Sequence, residues 1–104
     1  MFARHVSIRL QSNMFPDFEK TFEAEVLPLL RKQKGFKDEF TLSNPGSPDV
    51  IAISLWENKA SAETYNSDTY PQVLNTLVRM IEGTPKVQTF ETVTTTLSKV
   101  AVAA

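Results

Sequence analysis

The stretch Val50–Trp56 constrains this chain more than any other. Its sequence, VIAISLW, is apolar at every position but Ser54 and ends on the only tryptophan. A strand covered on both faces reads this way, because neither face then accepts polar residues. The segment turns polar at Glu57-Asn58, and Asn58 is a good N-cap for a short helix over Lys59–Asn66. The rest of the chain is expected to cover this strand.

The other elements follow from pattern. Phe2–Gln11 alternates: Phe2, Arg4, Val6, Ile8 and Leu10 share one face, and Ala3, His5, Ser7, Arg9 and Gln11 share the other. Period two with β-branched residues predicts a strand. Pro16 marks a helix start, with Asp17 and Glu19 at its positive end. Phe15, Phe18, Phe22, Val26, Leu29 and Leu30 form its apolar stripe. Pro28 is expected to kink the last turns, since its ring clashes with the carbonyl of Ala24. Gly35 suits the position just past the helix end. Phe36–Ser43 predicts a second strand, with Phe36, Phe40 and Leu42 sharing a face with Asp38. The cluster Asn44–Asp49 is a turn, so this strand and Val50–Trp56 make a hairpin. Ser67–Thr69 breaks the short helix. Tyr70-Pro71 restarts it to about Glu82, with Val73, Leu74, Leu77 and Ile81 as the stripe and Gly83 as the stop. A last strand is expected from Lys86 to about Ser98, rich in threonine, valine and phenylalanine.

The order strand, helix, strand, strand, helix, strand predicts an α+β, ferredoxin-like βαββαβ domain. Right-handed crossovers place both helices on one face of a four-stranded antiparallel sheet, with the first and third strands central. With 104 residues, this is a single domain over residues 1–99, and residues 100–104 are expected to be a frayed tail. The third strand is apolar on both faces, so the face without helices needs a partner. A homodimer with the two sheets face to face is the simplest one.

Composition excludes several classes. A net charge of −1 argues against a nucleic-acid footprint, and the basic cluster Arg31–Lys34 sits where it complements a helix end. The absence of cysteine removes disulfides, thiolate nucleophiles and thiolate metal sites. With one histidine and scattered carboxylates, no metal site is expected. Met1–Leu10 carries Arg4, His5 and Arg9 and does not resemble a signal peptide. No apolar run approaches the roughly 20 residues of a membrane helix. A cytoplasmic location without membrane association is the expectation. The three scattered glycines form no nucleotide fingerprint, and no G-x-S-x-G is present.

On element order, on VLPLLRKQKGF (Val26–Phe36), on AISLWENKASAETY (Ala52–Tyr65) and on the final strand after Gly83, residues 2 to about 95 resemble the antibiotic biosynthesis monooxygenase superfamily, the dimeric α+β barrel group. That group includes cofactor-free oxygenases of aromatic polyketides, haem-degrading enzymes and quinol oxygenases. The resemblance implies a cofactor-independent monooxygenase acting on a small aromatic or quinol, with no cofactor. Trp56 matches the tryptophan of the polyketide branch. That branch has an asparagine four residues earlier, here Ala52, and a tyrosine six residues later, here Ala62. The haem-degrading branch has a second tryptophan nine residues on, here Tyr65, and its axial histidine falls near Asn75.

The candidate catalytic residues are His5, Trp56 and Arg79. His5 is a base candidate because imidazole titrates near neutral pH. Trp56 shares its face with the small residues Ala52 and Ser54, which can leave room for a flat ring. Arg79 is a candidate to stabilise an enolate or peroxide anion. Tyr65, Tyr70 and Asn75 are the candidate substrate contacts, the two tyrosines flanking the helix break. Each has a plainer structural reading: a packed ring, a solvated strand histidine or a solvated helix face. Two other functions share these residues. One is a non-catalytic dimeric module binding a small hydrophobic or aromatic ligand, or associated with stress. The other is haem binding or degradation.

Overall fold

The apolar run forms β3 (Asp49–Trp56) of a computed structural model that describes residues 1–97. The other strands are β1 (Phe2–Arg9), β2 (Phe36–Ser43) and β4 (Lys86–Glu91). They form one sheet of order β2-β3-β1-β4, and every neighbouring pair is antiparallel. Between β1 and β2 the chain forms α1 (Phe15–Thr21), a π-helical segment (Phe22–Val26) and α2 (Leu27–Arg31). Between β3 and β4 it forms α3 (Lys59–Asp68), α4 (Tyr70–Leu77) and a 3₁₀ turn (Val78–Met80). The helices pack on one face of the sheet. This is the ferredoxin-like arrangement expected from the element order, with β1 and β3 central.

Four local features depart from the simple pattern, each for a physical reason. Pro28 falls at the start of α2, directly after a π-helical segment. That segment is widened, and the Leu27 N–H donates to the Phe22 carbonyl five residues back. Widening moves the Ala24 carbonyl away from a ring that would otherwise strike it. A bulge between Phe36 and Asp38 then splits the expected face of β2. Phe36 pairs with Trp56 on the helix side, whereas Asp38, Phe40 and Leu42 pair with Leu55, Ile53 and Ile51 on the other side. The last helix ends before Glu82, because Ile81 forms a bridge with Leu10 and the Glu82 N–H donates to the Arg9 carbonyl at 2.7 Å. Finally, β4 stops at Glu91, opposite Phe2, well short of Ser98. Pairing ends a strand when β-propensity alone would carry it on. The expected tail 100–104 lies outside the described residues.

The sheet presents two unlike faces. Toward the helices, Phe2, Val6 and Ile8 of β1 and Val50, Ala52 and Trp56 of β3 join Phe18, Phe22, Val26, Leu30, Tyr65, Val73 and Leu77 in one core. Away from the helices lie Ile51, Ile53 and Leu55, flanked by Phe40, Leu42 and Phe90, which are exposed.

Gly35 locks the end of α2 to the start of α3. Its φ is +80°, and its carbonyl accepts from the Glu57 N–H at 2.7 Å. A Cβ there would strike Ser61 Oγ and stand 2.6 Å from Ser61 Cβ. Ser61 cannot yield, because its N–H is held by Asn58 Oδ1 at 2.9 Å in the N-cap of α3. Gly35→Ala is therefore expected to cost more than the roughly 1–2 kcal/mol of a left-handed non-glycine residue. A thermal melt should fall by roughly 8 °C or more, at about 4–8 °C per kcal/mol for a domain of this size.

Candidate functional site

β1 places a charge where an apolar residue is expected. Arg4 lies on the helix-facing side between Phe2 and Val6 and is only 3% exposed. Its guanidinium sits 4.0 Å above the Tyr70 ring centroid and 5.2 Å from that of Tyr65. Nη2 donates to Asn66 Oδ1 at 2.8 Å. Neither ion pair among the described residues, Arg9–Asp49 or Lys59–Glu63, includes it. Two tyrosine faces and one amide thus hold a buried cation without a carboxylate. Burial pulls its pKa below the usual arginine value, while the two tyrosines oppose the shift. A guanidinium keeps its charge at neutral pH.

The tyrosines come from the two sides of the helix break. Tyr65 is the last buried residue of α3, and Tyr70 opens α4 after Thr69. Pro71 follows at a position where its missing N–H is harmless. The rings form a ladder. Phe36 meets Trp56 edge-on at 5.5 Å, Trp56 lies 5.0 Å from Tyr65, and Tyr65 lies 6.2 Å from Tyr70. Trp56 is fully buried, and its indole N–H donates to Ser54 Oγ at 2.9 Å. Burial pushes the Tyr65 hydroxyl up to about 12, and it raises Tyr70 as well, with Arg4 opposing in both cases.

These groups border a cavity between helices and sheet. Arg4, Ser54, Tyr65, Tyr70 and Glu39 supply its polar wall; Val6, Phe22, Val26, Ala52 and Leu77 supply much of the apolar one. Its free volume is only about 30 Å³. As it stands, the cavity holds a water or two. Glu39 reaches it because the β2 bulge sets this residue opposite Ser54, on the helix side. Thr41 Oγ1 donates to Glu39 Oε2 at 2.8 Å. Burial raises the Glu39 pKa, Asp38 adds to the rise and the Thr41 hydrogen bond opposes it. Arg4 also borders a second hollow between α3 and β4, with Asn66, Lys59 and Thr89.

The six residues singled out in the sequence separate. Tyr65 and Tyr70 line the cavity. Trp56 lies behind Tyr65 as a sealed wall rather than at the cavity surface. His5 projects from the opposite face of the sheet, where it pairs with Ile53 and Gln88 and meets Phe90 edge-on at 6.4 Å. The sheet separates its imidazole from the cavity, and its buried Nδ1 has no hydrogen-bond partner among the described residues. Asn75 and Arg79 are exposed and do not border the cavity. Arg4, Glu39, Ser54 and Asn66 complete the polar group and were not singled out. Arg4 was legible as the one charge on an apolar strand face. The bulge hid Glu39.

No haem fit follows from this arrangement. Asn75 offers no imidazole, and the only histidine faces away from the cavity.

No protein-family model and no curated protein matches the sequence. Solved structures do match along nearly the whole chain. A Nitrosomonas europaea protein of unknown function superposes with a TM-score of 0.77 at 16% identity, covering 92% of each chain. A Bordetella bronchiseptica protein provisionally named an antibiotic biosynthesis monooxygenase gives 0.75 at 18% identity, over 89% of this chain and 97% of that one. A mutant of SnoaB, a cofactor-independent oxygenase from Streptomyces nogalater, gives 0.74 at 15% identity, over 91% and 95%. At such identities the likeness speaks for the fold. This chain shares its fold with these proteins, two of which carry monooxygenase or oxygenase names.

Proposed function

We propose that the protein is a cofactor-independent monooxygenase that oxidises a small electron-rich aromatic, such as an anthrone or a quinol, in the cavity between helices and sheet. The observation that carries this reading is the buried Arg4 guanidinium, which faces two tyrosine rings and has no carboxylate partner among the described residues. Chemistry that develops negative charge on a flat ring needs a fixed cation beside aromatic walls. For an anthrone, one methylene proton passes to the Glu39 carboxylate, and the carbanion charge spreads to the ring oxygen beside Arg4. The electron pair goes to dioxygen and a peroxide forms on that carbon. Loss of the second proton with O–O cleavage yields the ketone and water. Glu39, whose pKa is raised by burial, is the proton acceptor in this reading. A ring needs more than the present 30 Å³, and the half-buried Tyr70 is the wall that moves to admit it.

A second reading is favoured by the closed cavity and by Ala52 and Ala62 at positions where the polyketide branch has polar groups: a module that binds an aromatic ligand without oxidising it. Dioxygen uptake separates the two. With chelator-treated protein and a panel of anthrones and hydroquinones, uptake above the buffer rate is expected. Saturable ligand binding with no uptake selects the binding module. In both readings the working unit is a homodimer joined through the face that carries Ile53 and Phe90.

A further inference from the structure

We propose that the cavity binds its aromatic ligand as an oxyanion, with the ionised ring oxygen on the Arg4 guanidinium. This rests on the cavity's being the functional site, but it requires no oxygenation. Arginine offers five N–H donors in a planar fork. One side-chain donor is engaged by Asn66 at 2.8 Å, and the group stacks over Tyr70 at 4.0 Å. A buried cation without a counter-ion is costly to keep, and an anion that arrives with the ligand removes that cost. Among the described residues, Glu39 is the only carboxyl on the cavity wall, and burial raises its pKa. A ligand anion therefore meets one cation, and Glu39 is the one wall group whose charge opposes it. The two tyrosine faces suit a ring, and the apolar remainder of the wall excludes strongly hydrated anions. The class implied is a phenol or enol of one or two rings, which binds more tightly ionised than neutral.

The test uses 4-nitrophenol, whose phenolate absorbs visible light, titrated with pH in the presence of saturating protein. The bound probe should ionise at least one pH unit below the free probe, which is a tenfold preference for the anion. Arg4→Met should return the midpoint to the free value or above. Glu39→Gln removes the competing carboxyl and should move the midpoint further down. A merely structural role for either residue would not give shifts of opposite sign. Absence of binding at millimolar protein overturns the proposal. So does a wild-type midpoint at or above that of the free probe, or a lowered midpoint that survives Arg4→Met. Arg4→Met removes a buried charge in favour of an apolar chain of similar length, so folding is expected to persist and circular dichroism checks it. Should that variant not fold, the wild-type and Glu39→Gln titrations decide. A lowered midpoint without dioxygen uptake leaves this proposal standing and removes the oxygenase reading. Uptake with an unshifted midpoint does the reverse.

Discussion

Trp56→Ala is expected to lose about 3–5 kcal/mol, the usual cost of emptying a fully buried tryptophan site. For a domain held by roughly 5–15 kcal/mol, that is a fifth or more of the total. The indole has no exposure and fills the space between Phe36 and Tyr65. Its removal leaves the Tyr65 ring unsupported and Ser54 Oγ without its donor. The melting temperature should fall by about 12 °C or more, at about 4–8 °C per kcal/mol. Trp56→Phe keeps a ring but loses the hydrogen bond, and its melt should lie between the two. A fall of only a few degrees in Trp56→Ala would show that the ladder from Phe36 to Tyr70 is not what holds helix to sheet. Because Trp56 stands behind the cavity wall, this variant tests packing, and activity changes in it should follow the loss of Tyr65 order.

Ile53→Glu is expected to separate the proposed dimer. Ile53 lies at the middle of the open face, paired with His5 on one side and Phe40 on the other. Around it, Phe40, Leu42 and Phe90 are 43%, 49% and 52% exposed. A row of large exposed apolar side chains on one sheet face is a surface built to be covered. Two-fold symmetry would bring each introduced carboxylate into the joint twice. An unpaired buried charge costs about 3–5 kcal/mol, so dissociation should strengthen by about a hundredfold or more. Light scattering at micromolar concentration should give twice the chain mass for the wild type and the chain mass for Ile53→Glu. A wild-type mass of one chain would refute the dimer outright. Far-ultraviolet circular dichroism should be alike in the two proteins, because Ile53 faces away from the core shared with the helices.

The architecture was legible because its signals are local. Element order, the alternation in β1 and the apolar run of β3 each follow from side chains within a few residues. The central position of β3 followed from the topology, and its two apolar faces fitted it. The ends of elements were less legible, because pairing sets them from a distance: β4 stops opposite Phe2, and the last helix yields where Ile81 meets Leu10. The site was legible in part. Tyr65 and Tyr70 flank a break that was expected over Ser67–Thr69 and falls at Thr69 alone, and they do converge. Arg4 stood on the apolar face of β1 in the plain alternation of Phe2, Arg4, Val6 and Ile8. His5 is the more conspicuous group for proton transfer, but it is one residue on and therefore on the other side of the sheet. Glu39 could not be placed by parity, since the β2 bulge reverses the faces after Phe36. Arg79 and Asn75 sit at helical spacing, but the stripe of α4 that meets the core runs through Val73 and Leu77.

The parity of β1 also supplies the sharpest test of where the chemistry occurs. Dioxygen uptake should be measured for wild type, Arg4→Met and His5→Ala, on whichever anthrone or hydroquinone the wild type oxidises. Loss of one preorganised charge at a developing oxyanion typically costs about 10²–10³ in kcat. Arg4→Met should therefore fall about a hundredfold or more, while His5→Ala, on the far side of the sheet, should keep most of the wild-type rate. A rate that collapses in His5→Ala and survives in Arg4→Met would place the reaction on the open face and contradict the cavity as the site.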